Sequence, residues 1–216
     1  MEHFLKDNFD VELRDGITRH KHFMQLPEAA GRGAGVLVVI MVRNPYDWAV
    51  SLRKICHGCE SLQNLSSREF IASPVSGYGG KDVVLDTQAA FANVLEMRQM
   101  KIRNWLETAN AASMAHVVVR MEDILYPFQQ IEVGRSLQAA YTLKSRHPDI
   151  IPWRAYMRTL SQTFDPEEAV RRSVYFNLTG LSTADPRGWG WVRDMTASLD
   201  HAFEASLGYR ALGEGV

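Results

Sequence analysis

The chain has 216 residues, 46% of them hydrophobic, with 24 Lys and Arg against 25 Asp and Glu for a formal net charge of −1. Length and apolar content suffice for a single domain, 1–216, with a sizeable core, and leave little room for two. The balanced charge supplies no global attraction to nucleic acid or to a membrane surface, so any anion site has to be built locally from a few placed residues.

In chain order, the opening MEHFLKDNFDVELRDG is polar and acidic, unlike a signal or transit peptide. No apolar run approaches the roughly 18–20 residues that span a bilayer, so the chain reads as soluble and, as it stands, cytoplasmic, with no membrane contact. The first strong element is Val36–Val42, an apolar and mostly β-branched run between Gly35 and Asn44-Pro45, which predicts a strand buried on both faces. A helix is predicted over Tyr46–His57, closed by Gly58. Asn44 suits its N-cap, Pro45 the first helical position, where a missing N–H is no loss, and Asp47 the positive end of the helix dipole. Cys56 and Cys59 flank His57-Gly58 without a second Cys or Cys/His pair at zinc spacing and without the context of a redox dithiol. They are read as ordinary thiols, and no metal site is expected.

From Glu60 to Asp86, Ser, Gly and Pro predict a long loop of the kind that covers or shapes a substrate pocket. Thr87–Ala111 reads as a strong helix with Phe91, Val94, Leu95, Met97, Ile102, Trp105 and Leu106 on its apolar face and Arg98, Lys101 and Arg103 on its solvated side. Ala115–Met121 is a second buried strand, running into Glu122-Asp123. Residues 126–164, interrupted by Pro148 and Pro152, give no clear element; Asp165-Pro166 marks a helix start, and a last helix over Val192–Leu207 stops at Gly208. The sequons at Asn64 and Asn177 would matter only in the secretory pathway.

Strand, helix, long helix, strand is the grammar of an α/β fold with a mostly parallel sheet and helices packed on its faces. In open parallel sheets, ligands bind beyond the carboxyl ends of the strands, where helix N-termini offer free N–H groups and partial positive charge. Arg43 leaves its strand at that edge, and Ser51 lies on the helix behind it. A guanidinium and a hydroxyl so placed make an anion clamp suited to phosphate. An arginine that simply ends the strand and pairs with a carboxylate is the alternative that physics alone leaves open.

Arg43-Asn-Pro-Tyr-Asp-Trp-Ala-Val-Ser51, behind an apolar strand, resembles the 3′-phosphate-binding segment of sulfotransferases. In that family the Arg and the Ser hold the 3′-phosphate of 3′-phosphoadenosine 5′-phosphosulfate, and Arg43 and Ser51 match them residue by residue. Arg120-Met-Glu122-Asp123-Ile-Leu125 stands where the family carries a Tyr-Glu-Asp-Leu type sequence after a long helix, with Met121 in place of an aromatic. Asp185-Pro-Arg187-Gly188-Trp189-Gly-Trp191, then the helix after it and Gly208-Tyr209, resemble the family's nucleotide-covering loop and final helix, which implies Arg187 and Gly188 as further donor contacts.

The resemblance implies a three-layer fold of the P-loop nucleoside-triphosphate-hydrolase type, with a mostly parallel sheet and helices on both faces. It also implies 3′-phosphoadenosine 5′-phosphosulfate as co-substrate, no metal, and transfer of the sulfuryl group to a hydroxyl or amine of a small-molecule or glycan acceptor. Such transfer needs a base for the acceptor proton. Where the cytosolic branch carries its histidine, this chain has Arg19-His20-Lys21-His22-Phe23 followed by Gln25-Leu26-Pro27. His22 is the candidate catalytic base, with His20 behind it and Glu12 and Asp15 as more distant stand-ins.

The family's Pro-Lys-x-Gly-Thr-Thr loop, whose N–H groups and lysine cradle the 5′-phosphosulfate, has no counterpart ahead of His22. Gly31-Arg-Gly33-Ala-Gly35 precedes a strand instead of following one, and Gly77-Tyr-Gly-Gly-Lys81 lacks the Ser or Thr. The expectation is an N-terminally incomplete sulfotransferase domain, with the Golgi lumen as its compartment if an anchor lies upstream. The alternative is a catalytically inactive relative that binds a nucleotide or a protein.

Overall fold

The computed structural model describes residues 1–12, 35–54, 62, 64–76, 90–152 and 190–209. In chain order these form helix α1 (Glu2–Asn8), strand β1 (Leu37–Val42), α2 (Pro45–Lys54), α3 (Ser67–Ala72), β2 (Val75–Ser76), β3 (Ala90–Phe91), α4 (Val94–Ala111) and β4 (Ala115–Arg120). A 3₁₀ turn (Met121–Ile124), α5 (Pro127–Tyr141), α6 (Gly190–Ser198) and α7 (His201–Ser206) follow. The fold is α/β, built on a small parallel sheet.

The two β-branched runs pair with each other. β1 and β4 run parallel from Leu37↔Ala115 to Val42↔Arg120, so both strands end at the same edge. Side chains alternate across a strand, and here the alternation divides two apolar clusters. Val38, Ile40, Val42 and Val118 pack with Tyr46 and Ala49 of α2, Phe70 and Ile71 of α3, Leu95 and Met97 of α4, and Met195 and Phe203 near the C-terminus. Val39 and Val117 pack with Phe4, Leu5, Phe9, Leu137 and Ile150. A separate antiparallel pair joins β2 to β3 through Val75↔Phe91.

Several elements differ from the sequence expectation, each for a local reason. The long helix begins at Val94 and not at Thr87, because the Asn93 side chain accepts the N–H groups of Leu95 and Glu96 at 2.9 Å each. Phe91 accordingly belongs to β3. Part of the predicted 60–86 loop is helix α3, nucleated by a reciprocal capping box in which Ser66 Oγ accepts the Glu69 N–H and Glu69 Oε2 accepts the Ser66 N–H. Its Phe70 and Ile71 are core residues. Residues 60, 61, 63 and 77–86 of that loop, Gly77–Lys81 among them, lie outside the described residues, as does the helix start predicted at Asp165.

Helix α5 occupies a stretch that gave no element in the sequence. Pro127 opens it, and a left-handed Thr142 (φ 53°) ends it. Its buried face holds Gln130 and Gly134, which dilutes the apolar periodicity. Gly134 is there for close packing: a Cβ would fall 2.8 Å from Ile150 Cγ2 and 2.9 Å from Phe4 Cζ. The predicted last helix is two helices, α6 and α7, broken where Asp200 turns its carboxylate to the Phe203 N–H at 3.0 Å to cap the second. Among the described residues no helix is long and apolar enough to cross a membrane.

Candidate functional site

Register brings Val42 beside Arg120, so Arg43-Asn44 and Met121-Glu122 emerge at one sheet edge. Asn44 organises the first of these. Its Oδ1 accepts the Asp47 N–H at 2.8 Å, and its C=O accepts the Trp48 N–H at 3.0 Å, so it is the N-cap of α2, as the Asn-Pro-x-Asp pattern predicts. Its Nδ2 donates to Asp47 Oδ2 at 2.8 Å and to Glu122 Oε1 at 2.5 Å, and its own N–H reaches the same Glu122 oxygen at 3.0 Å. Pro45 has no N–H and that of Asp47 is taken by the cap. The helix end therefore contributes its dipole to the edge more than the row of free donors expected from sequence.

Glu122 joins the strand ends to the C-terminal turn. Its Oε2 accepts the Tyr209 hydroxyl at 3.0 Å. Tyr209 is buried, and burial first, the Glu122 charge second, pushes its phenol well above the ordinary range. Arg120 forms a two-pronged pair with Asp123, at 2.7 Å from Nε and 2.6 Å from Nη2, which holds its guanidinium even more firmly protonated. It also donates to the Gly208 C=O and lies 5.8 Å over the Tyr209 ring.

Arg98 is a correction to the sequence reading. It is 3% exposed, not on a solvated face. Its Nη2 donates to the Arg43 C=O at 2.8 Å, its Nη1 pairs with Glu204 of α7, and it lies 5.9 Å over Trp48. Burial raises the Glu204 carboxyl, against the opposing pull of Arg98. The signal for this was present in the sequence, since Arg98 stands in line with Val94 and Ile102 at i, i+4, i+8 on the apolar stripe. Arg103 is also engaged, with Asp200 at 2.8 Å and over the Phe203 ring at 4.9 Å. Lys101 lies 5.1 Å over Trp105, and burial lowers its ammonium to about 7.

Of the predicted site residues, Arg43 and Ser51 are described, and both are half-buried. Ser51 stands seven residues beyond the Asn44 cap. That is two helical turns, about 10 Å along the axis, which returns it to the face of α2 that carries Asn44, Asp47 and Trp48. Among the described residues, neither the Arg43 guanidinium nor the Ser51 hydroxyl makes a hydrogen bond or ion pair. His22, His20, Asp15, Arg187, Gly188, Cys56 and Cys59 lie outside the described residues, and Glu12 is exposed beyond α1. No group of three or more His, Cys, Asp or Glu side chains among the described residues could hold a metal ion. The chain matches no family model, no curated protein and no solved structure.

Proposed function

We propose that the chain is a sulfotransferase-type domain in which Arg43 and Ser51 hold the 3′-phosphate of 3′-phosphoadenosine 5′-phosphosulfate at the carboxyl edge of β1 and β4. One observation carries this reading. Three segments distant in sequence, each resembling that family, converge on this edge: Arg43–Ser51, Arg120–Leu125, and the C-terminal turn at Gly208-Tyr209. Arg43 ends its strand there without a carboxylate partner among the described residues, which weighs against a simple strand-ending ion pair. The finer fold reading, a three-layer sheet protein of the P-loop type, is supported by the parallel pairing and by apolar clusters on opposite sides of β1.

In the proposed reaction the acceptor oxygen or nitrogen attacks the sulfur of the donor in line. A new bond to sulfur forms, the bond from sulfur to the 5′-phosphate oxygen breaks, and adenosine 3′,5′-bisphosphate leaves. His22 would take the acceptor proton, and Arg187 and Gly188 would close over the nucleotide. No metal is needed, and the acceptor is a small molecule or glycan. The test is calorimetric titration of the chain with adenosine 3′,5′-bisphosphate. Saturable one-site binding is expected, weakened by about 10- to 100-fold in Arg43→Ala, the worth of a lost hydrogen bond to a charged group. A folded chain that does not bind the bisphosphate overturns the proposal.

A further inference from the structure

The peptide unit between Arg43 and Asn44 is held from both ends by side chains of other elements. Its C=O accepts from Arg98 Nη2 at 2.8 Å, and its N–H donates to Glu122 Oε1 at 3.0 Å. Both holders are anchored on the same C-terminal segment, Arg98 by Glu204 and Glu122 by the Tyr209 hydroxyl. Because the peptide unit is planar, fixing its orientation fixes ψ of Arg43 and φ of Asn44 together, and so fixes how the Arg43 side chain leaves the strand relative to α2.

The Arg98–Glu204 pair is a poor device for stability. Both residues are buried, at 3% and 4% exposure, and the second carboxylate oxygen of Glu204 has no hydrogen-bond partner among the described residues. Buried pairs of this kind seldom outperform apolar side chains of the same volume. A guanidinium does here what an apolar group cannot: its fork reaches a carboxylate and a backbone carbonyl at once. We infer that Arg98, braced by Glu204, is a positioning residue for Arg43, so that α7 sets the anion affinity of the sheet edge through the Arg43–Asn44 peptide. This rests on the phosphate-clamp reading above and names the part of the fold that controls it.

The test compares affinities for adenosine 3′,5′-bisphosphate and adenosine 5′-monophosphate, whose ratio isolates the 3′-phosphate. The double variant Arg98→Met/Glu204→Leu keeps the net charge and replaces the pair by apolar side chains, a change that commonly leaves stability unaltered or raised. It is expected to melt no lower than the wild type and to lose about 10-fold of the ratio, with affinity for the monophosphate little changed. Arg98→Lys is the second variant; it retains the charge and the partner but lacks the fork, and the ratio is expected to fall in it too. A wild type that favours the bisphosphate, with variants that keep that ratio, overturns the positioning role and leaves the clamp standing. A wild type with no preference overturns the clamp, and the inference with it.

Discussion

Asn44 shows how much one side chain can settle at the end of a strand. It caps α2, binds the Asp47 carboxylate and ties β1 to β4 through Glu122. Losing an N-cap costs about 1 kcal/mol, and leaving a buried carboxylate short of a donor adds to it. Asn44→Ala is therefore expected to lower stability by about 2–3 kcal/mol in urea unfolding; a loss under about 0.5 kcal/mol would contradict the hub role. Ser51→Ala is expected to behave in the opposite way. Its hydroxyl has no hydrogen bond among the described residues, so stability should hold while bisphosphate binding weakens by about 2- to 10-fold. Unaltered binding in that variant would remove Ser51 from the proposed clamp. The cap was legible because Asn, Pro and Asp act within one turn. The link to Glu122 was not, because 78 residues separate the partners and no local pattern marks them.

At the scale of elements, what the sequence revealed depended on how pure each periodicity was. β1 is an unbroken apolar run and β4 carries three successive valines, and both were found within a residue of their bounds. Helix α5 escaped because its buried face needs a glycine where α1 and Ile150 approach. Gly134→Ala gains about 1 kcal/mol of helix propensity yet forces a methyl into those contacts, where overpacking costs about 1–3 kcal/mol. The variant should be less stable than the wild type, and a gain in its urea midpoint would contradict the packing. Gly208 ends α7 at φ 82°, and a Cβ there would stand 2.8 Å from Arg120 Nη1. Left-handed backbone and close contact act together, so Gly208→Ala is expected to lose about 1–2 kcal/mol, read by the same unfolding curve.

Across the whole molecule, the C-terminal turn closes the edge from which the proposed chemistry would operate. Arg98–Glu204 and Glu122–Tyr209 join residues 106 and 87 positions apart. That closure was beyond the sequence, although the buried-stripe position of Arg98 hinted at half of it. The half-buried Lys101 also makes stability depend on pH. Burial lowers its ammonium from 10.5 to about 7. Between those values the unfolded chain holds a proton that the folded chain has released, so this contribution to stability rises with pH through the window and is lost as pH falls through 7. Against Lys101→Met, the wild type should gain up to about 1 kcal/mol per pH unit between pH 7 and 9 in urea unfolding. Parallel pH profiles would contradict the burial of that charge.

The most direct measurement is a crystal structure of the chain with adenosine 3′,5′-bisphosphate bound. The proposed clamp requires the 3′-phosphate within hydrogen-bond distance of the Arg43 guanidinium and Ser51 Oγ, with Arg98 still on the Arg43 carbonyl. A nucleotide bound elsewhere, or Arg43 paired with a carboxylate in the complex, would contradict it.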